Sequence, residues 1–130
     1  MSGTGYQALL DCRRRSRLLR GHGFTVDQIA VILSLDHPAS PLRLYRYVAG
    51  LTAGQVIAAY AALDPTNTAT LREARLYDYE NWPKAGRRPP AHALILLAAI
   101  YGTAPVRLIS SETLGTYPPP SQRLLLRGQR

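Results

Sequence analysis

The segment Gly50-Leu51-Thr52-Ala53-Gly54-Gln55 opens the most informative part of this chain. An alanine-rich run follows it, then Leu76-Tyr77-Asp78-Tyr79-Glu80-Asn81-Trp82, then Lys84-Ala85-Gly86-Arg87-Arg88-Pro89-Pro90. Thr52 and Gln55 have the spacing of a capping box, in which each side chain satisfies a backbone N–H of the other residue at a helix start. The pattern predicts a short capped helix, a second amphipathic helix and a basic turn. In that order, these elements can be laid into a nucleic-acid groove.

Helical patterns continue on both sides of this segment. Thr25 with Gln28, and Thr70 with Glu73, repeat the capping-box spacing and predict two further helix starts. Strand signals are almost absent, and glycine and proline separate the helical segments. The sequence therefore predicts an all-α fold, a compact bundle of about seven short helices. We place them at about 7–20, 25–35, 44–50, 52–63, 70–81, 91–101 and 105–109.

Three regions are predicted along the chain. Residues 1–40 form an N-terminal extension of two helices, and residues 41–110 form the central domain. Residues 111–130 are predicted to be a flexible tail, because prolines interrupt them and they have little helical period. The apolar residues of the extension either pack on the core or form a dimer interface, and the sequence leaves both arrangements open.

The chain is strongly basic for its size. It has 130 residues, of which 46% are hydrophobic, enough for one modest core. Sixteen Lys and Arg against eight Asp and Glu give a formal net charge of +8, which favours a polyanionic partner. All but one of the basic residues are Arg. This suits bidentate contacts with phosphate and guanine, but codon bias in a GC-rich genome explains it equally well.

Several other classes of protein are disfavoured. Cys12 is the only cysteine, so no internal disulfide can form. Cys12, His22, His37 and His92 do not have metal-ligand spacing, and no Gly-rich phosphate loop or nucleophile–base pattern is present. No apolar run reaches the roughly 18 residues needed to span a bilayer, and no signal peptide is evident. We therefore predict a cytoplasmic, nucleoid-associated protein that is not an enzyme, uses no metal or cofactor and does not enter a membrane.

Residues 42–109 resemble the helix-turn-helix domain of Cro/CI-like (XRE) transcriptional regulators, most closely those of the actinobacterial type. The motifs that carry the resemblance are Gly50-Leu51-Thr52 at the start of helix 2, Leu76, Tyr79, Glu80 and Asn81 at the end of the recognition helix, the Tyr-Glu-Asn-Trp-Pro and Gly-Arg-Arg-Pro-Pro strings, and Leu97-Ala98, Tyr101-Gly102 and Leu108 in the closing helices. The resemblance covers about half of the chain and implies a lambda-repressor-like helix-turn-helix core. It departs from the family at residues 64–69, which are longer than the usual tight turn, and at Ala53, where the family often has a phosphate-binding Gln.

Three residues are candidates for contact with DNA bases. Arg72 and Arg75 are expected to project from the first turns of the predicted recognition helix. Arginine best reads guanine O6 and N7, with about 1–3 kcal/mol of discrimination for a good bidentate pair. Tyr77 is the third candidate, for base, sugar or backbone contact. Alternatively, Arg72 and Arg75 are ordinary solvated helix residues, and Tyr77 packs against the protein.

Five residues are candidates for contact with DNA phosphates. Helix N-termini expose unpaired backbone N–H groups and a partial positive charge, which makes the predicted starts at Thr52 and Thr70 suitable for phosphate. Lys84, Arg87 and Arg88 lie in the loop beyond the recognition helix, where they are expected to bind phosphate without reading sequence.

The predicted function is that of a sequence-specific, duplex-DNA-binding transcriptional regulator. Its partner is double-stranded DNA, and if it forms a homodimer its two copies read half-sites about 34 Å apart. Two alternatives remain open. One is a helical protein-interaction module of the antitoxin or adaptor kind with a protein partner, and the other is a nonspecific nucleic-acid-binding protein.

Overall fold

The computed structural model describes residues 2–64 and 70–127 of the chain. These residues form eight α-helices and one short 3-10 helix, with no strand among them, so the all-α prediction is confirmed. The α-helices are α1 (Ser2–Gly21), α2 (Val26–Ser34), α3 (Pro41–Ala49), α4 (Ala53–Leu63), α5 (Glu73–Asn81), α6 (Ala91–Tyr101), α7 (Ser111–Leu114) and α8 (Pro119–Leu126), and the 3-10 helix is Pro105–Leu108.

Two of the three predicted capping boxes are present. In α2 the Thr25 hydroxyl accepts a hydrogen bond from the Gln28 backbone N–H, and the Gln28 side chain accepts one from the Thr25 backbone N–H. Thr52 and Gln55 make the same two hydrogen bonds at the start of α4. Each box satisfies two backbone N–H groups that the helix leaves unpaired.

The third box, Thr70 with Glu73, was predicted wrongly. The helix α5 begins at Glu73 with Arg72 in the N-cap position, and no side chain caps it. Arg72 has an extended backbone, and Leu71 is only 7% exposed. Burial of Leu71 in the core holds residues 70–72 out of the helix, so the start moves three residues past Thr70. Residues 65–69 of the long connection lie outside the described part of the chain.

The N-terminal helix α1 packs on the core. Leu9 and Cys12 of α1 are almost completely buried. The Ser16 hydroxyl donates a hydrogen bond to the Val48 carbonyl at 2.8 Å, and Arg13 Nε donates one to the Gly50 carbonyl at 3.0 Å. These acceptors lie at the C-terminal end of α3, where the helix leaves its last carbonyl groups unpaired. Thus α1 both covers the core and caps α3.

The prediction of a tail without packed structure is wrong for residues 111–127. They form α7 and α8, and Leu125 is fully buried. The Tyr117 ring between the two helices is 4% exposed, and its hydroxyl donates a hydrogen bond to the Pro89 carbonyl at 2.6 Å. These contacts bring the C-terminal segment against the start of α6. They also explain why the described chain has more helices than the seven predicted.

Candidate nucleic-acid interface

The helix α5 is attached to α3 by a buried ion pair. The Glu80 side chain is fully buried, and its two oxygens lie 2.6 and 3.0 Å from Nε and Nη2 of Arg46. Arg43 Nε lies 3.2 Å from Glu80 Oε1, and Arg43 Nη2 donates a hydrogen bond to Asn81 Oδ1 at 2.7 Å. Two guanidinium groups on α3 therefore hold the C-terminal turn of α5. Such charge-assisted bidentate contacts fix orientation as well as distance.

The loop of residues 84–88 is folded back onto α5. Gly86 has φ of +75°, a left-handed conformation that other residues rarely adopt. A Cβ on Gly86 would lie only 2.1 Å from the carbonyl oxygen of Asp78. The same carbonyl accepts a hydrogen bond from the Arg87 backbone N–H at 3.2 Å. The absence of a side chain at residue 86 thus allows the basic loop to lie directly against the helix.

Arg75 lies one helical turn before the point where the basic loop contacts α5. Arg75 Nε lies 3.8 Å from the Asp78 carboxylate, one helical turn away, and both side chains are 43% exposed. The hydrogen bond from the Arg87 backbone N–H to the Asp78 carbonyl places the loop against the C-terminal half of α5, about one turn beyond Arg75. Arg72, just before the helix, is also exposed. Arg72, Arg75 and Arg87 are therefore cations available at both ends of α5.

Tyr77 belongs to a different side of α5. Residues two positions apart on a helix differ by about 200° around its axis, so Tyr77 is nearly opposite Arg75. Its ring is 42% exposed and lies 5.9 Å from the Arg46 guanidinium carbon. Tyr77 and Thr52 line the same depression, of about 460 Å³. The three predicted base-reading residues are thus split between two surfaces.

The first turn of α4 is less available for phosphate binding than the sequence predicted. The Thr52 hydroxyl and backbone N–H are both engaged in the capping box. A Cβ placed on Gly54 would lie 3.4 Å from a carboxylate oxygen of Glu73. The Glu73 side chain, which was expected to cap its own helix, therefore places a negative charge beside this turn. Thr70 is exposed but lies ahead of α5, so it does not supply a helix N-terminus.

The three predicted phosphate-binding side chains of the loop differ in how they are held. Lys84, Arg87 and Arg88 are all exposed. Within residues 2–64 and 70–127, no hydrogen bond or ion pair engages the side chains of Lys84 and Arg87. Arg88 instead donates a hydrogen bond from Nη1 to the Thr116 carbonyl, and its guanidinium carbon lies 4.7 Å from the centre of the Tyr117 ring. Arg88 therefore also holds the C-terminal segment against the basic loop.

The consecutive residues Arg13, Arg14 and Arg15 of α1 all contact other groups of the protein. Arg13 caps α3, as described above. Arg15 lies 2.9 Å from the Asp36 carboxylate and 3.5 Å from that of Asp11, which Arg14 also contacts at 2.9 Å. These contacts give the three arginines a structural role.

Sequence reasoning missed the contribution of Arg43 and Arg46. Both are basic residues on a helix, a pattern that usually indicates a solvated face. Arg46 is instead 6% exposed, with its guanidinium carbon 5.2 Å from the centre of the Tyr47 ring. Both arginines bind Glu80, so they hold α5 to α3. The available signal was the one-turn spacing of Arg43 and Arg46, but it does not indicate their partner.

The described residues supply neither a metal-binding cluster nor a reactive thiol. No group of three or more His, Cys, Asp or Glu among them could hold a metal ion. Cys12 is fully buried, and burial, aided by the nearby charge of Asp11, raises the pKa of its thiol to about 11. A thiol with so high a pKa is a poor nucleophile at neutral pH. No helix in the described chain has the length and apolar character needed to cross a membrane.

No protein-family model, curated protein or solved structure matches this chain. The resemblance to XRE regulators stays a prediction based on the motifs quoted above.

Proposed function

We propose that this protein binds duplex DNA in a sequence-dependent manner and regulates transcription, acting at the nucleoid in the cytoplasm. In this proposal α5 enters the major groove with Arg72 and Arg75 toward the bases. Lys84 and Arg87 bind phosphate beside it. The observation that carries the proposal is the hydrogen bond from the Arg87 backbone N–H to the Asp78 carbonyl, which holds the basic loop against α5 one turn beyond Arg75.

The charges of Arg75 and of the basic loop favour binding of a polyanion. The net charge of the chain is +8, and the Lys84 and Arg87 side chains have no partner among the described residues. Cations of this kind bind the DNA backbone and release its condensed counterions. Arg75 has only an exposed ion pair with Asp78, which is worth about 1 kcal/mol or less. Arg75 can therefore leave Asp78 and bind a guanine edge or a phosphate at little cost in free energy.

The rigid attachment of α5 supports sequence reading over purely electrostatic binding. A side chain discriminates between bases only if its helix is held in a defined position. Arg43 and Arg46 fix the C-terminal turn of α5 through Glu80, and Gly86 lets the basic loop lie directly against the helix. Tyr77 and Thr52, on the other surface, are proposed to contact sugar or backbone at the edge of the site.

Selection of bound sites from random duplex DNA at a stated salt concentration tests the proposal. An enriched motif supports sequence-dependent binding, and a palindromic motif supports a homodimer. If DNA is bound without enrichment, the protein is a nonspecific nucleic-acid-binding protein. If no duplex is bound, the proposal fails and a protein-interaction module becomes the better explanation.

Variants separate the two kinds of contact. Arg75→Ala is expected to relax preference at one or two base pairs, costing about 1–3 kcal/mol on the selected site and much less on random DNA. Lys84→Ala is expected to weaken binding to all sequences. It should also reduce the slope of log affinity against log salt concentration (the salt slope) by about 0.9 for one lost phosphate contact. Arg123→Ala, an exposed cation on α8, is the matched control. Equal losses for Arg75→Ala on selected and random DNA would remove Arg75 from the base-reading set.

A further inference from the structure

A groove of about 520 Å³ lies beside the basic loop. Its walls come from the connection between α2 and α3, the C-terminal end of α5 and the segment that includes the 3-10 helix and α7. The apolar lining includes Pro38, Pro41, Trp82, Pro89 and Ile109. Small-molecule sites in proteins have volumes of about 300–1,000 Å³ and a mostly apolar lining with a few polar groups. The groove meets both conditions.

The charged groups of the groove favour an anion. Its charged lining residues are Arg43, Glu80 and Lys84. The Glu80 carboxylate is fully buried and already bound by Arg46 and Arg43, so its charge is compensated. The Lys84 ammonium group is exposed, with no hydrogen bond or ion pair to the described residues. Arg43 retains a side chain that is 30% exposed. The net charge available to a ligand is therefore positive.

The geometry points to a binding site for a small amphipathic organic anion. We infer that a flat apolar body lies against Trp82 and the prolines of the groove, with its carboxylate or sulfonate near Lys84 and Arg43. An organic cation with the same body would meet two positive groups and no uncompensated negative one. A wholly apolar ligand would leave the interaction with Lys84 unused.

The same site offers a way to regulate DNA binding, a step that rests on the proposed function. Lys84 lines the groove and also belongs to the proposed phosphate-binding surface. A bound anion neutralises Lys84, so that side chain can no longer bind phosphate. Occupancy of the groove is therefore expected to lower DNA affinity. The reverse must also hold, because the coupling between two binding sites is reciprocal.

The single tryptophan provides a direct readout of the groove. Trp82 is the only tryptophan in the chain, so one indole N–H cross-peak in a nitrogen–proton correlation spectrum reports on this wall. The probes are naphthalene-2-carboxylate and naphthalen-2-ylmethylammonium, which share a ring system and differ in charge. Calorimetry gives the two affinities. We expect the carboxylate to bind on the order of tenfold more tightly than the ammonium, and to shift the Trp82 peak.

Two charge-reversal variants test the role of Lys84 in the free protein. Lys84→Glu is expected to weaken binding of the carboxylate on the order of tenfold and to favour the ammonium probe. Arg123→Glu makes the same change of charge on α8, outside the groove lining, and should leave both affinities unchanged. A Trp82 peak that does not move, equal affinities for the two probes, or equal effects of the two variants would each overturn the site.

A second arm tests the link to DNA. Naphthalene-2-carboxylate should lower the affinity of the wild-type protein for the selected duplex several-fold more than an equal concentration of sodium acetate. The same addition should have little effect on Lys84→Ala. If the carboxylate binds the groove and DNA affinity does not change, the regulatory link is wrong. If no duplex binds under any condition, the proposed function fails, while calorimetry still decides the groove.

Discussion

Glu80 on α5 and Arg46 on α3 form a buried bidentate ion pair, with Nε–Oε2 and Nη2–Oε1 distances of 2.6 and 3.0 Å. The Glu80 side chain is completely shielded from solvent, and that of Arg46 is 7% exposed. Arg46 also donates a hydrogen bond to the Leu51 carbonyl at 3.2 Å. One guanidinium group thus joins α3, the start of the connection to α4 and the end of α5. These are the elements that position the proposed DNA-binding surface.

Loss of the Glu80 charge should destabilise the protein strongly. Glu80→Gln leaves Arg46 buried without a compensating charge, and breaking one side of a buried pair costs about 3–5 kcal/mol. Urea denaturation measures the loss. Asp78→Asn is the control, since Asp78 pairs with Arg75 in an exposed position and should change the free energy of unfolding by about 1 kcal/mol or less. Similar losses in the two variants would contradict the proposed role of Glu80.

Substitution of Gly86 should displace the basic loop. Gly86→Ala forces a Cβ toward the Asp78 carbonyl and places alanine at a positive φ, so we expect a destabilisation of about 2 kcal/mol or more. Thermal unfolding measures it. Gly21→Ala is the control, because nothing lies within 4 Å of its Cβ position. Equal melting temperatures for Gly86→Ala and the wild type would show that the loop does not need this close approach.

Arg87 and Arg88 should give different phenotypes although they are adjacent. Arg87→Ala is expected to reduce DNA affinity and the salt slope with little change in stability, because its side chain has no partner in the described chain. Arg88→Ala should lower stability by about 1 kcal/mol, since it removes the contact with the Tyr117 ring and the hydrogen bond to Thr116. Denaturation and DNA titration of both variants separate the effects. A loss of stability in Arg87→Ala equal to that in Arg88→Ala would refute the distinction.

Asp27 should contribute to stability in a pH-dependent way. Its Oδ1 accepts hydrogen bonds from Tyr45 and Thr103, both at 2.6 Å. Partial burial raises the pKa of Asp27, but these hydrogen bonds and the nearby charge of Arg107 outweigh it, so the pKa is lowered. The stabilisation is therefore present above the unfolded-state pKa of about 3.9 and is lost as pH falls through the folded-state value.

The comparison of Asp27→Asn with the wild type measures this contribution. Asn keeps an acceptor for both hydroxyl groups but has no proton to gain, so its stability should fall less steeply below about pH 4 than that of the wild type. Glu112→Gln, which changes an exposed carboxyl group on α7, is the control variant. If the stability of Asp27→Asn and that of the wild type fell equally steeply with decreasing pH, the contribution of Asp27 would be ruled out.

The packing of the C-terminal segment can be tested with two neighbouring leucines. Leu125 is fully buried and Leu124 is 38% exposed. Leu125→Ala should cost about 2–5 kcal/mol, the range for large-to-small changes in a core, whereas Leu124→Ala should cost much less. Denaturation of both variants measures the difference. A segment that does not pack on the core would respond equally weakly to both changes.

Features decided within one helical turn could be predicted from the sequence. The capping boxes at Thr25 and Thr52 involve residues three positions apart, and α6 extends over the predicted residues Ala91–Tyr101. Their signals are local hydrogen bonds and apolar periodicity, which act whatever the rest of the chain does. The positive charge and the candidate cations of the loop are equally properties of the residues present.

Features decided by distant partners could not be predicted in the same way. The box at Thr70 has the same spacing as the other two, but burial of Leu71 moves the start of α5 to Glu73. α8 is short and begins with prolines, and it is held through the buried Leu125 and the packing of the helix on α6. In each case the burial of one apolar side chain outweighs a local preference, because a core contact is worth more than a cap.

The composition and local spacing of the sequence therefore specify an all-α, basic protein with cations after its fifth helix. Only the tertiary structure decides which of those cations are available. It binds Arg46 to Glu80 and holds Arg88 against Tyr117, while Lys84 and Arg87 stay exposed. The reason is physical: a buried charge must be paired by whatever side chain the fold brings to it, and that partner is set by packing rather than by distance along the chain.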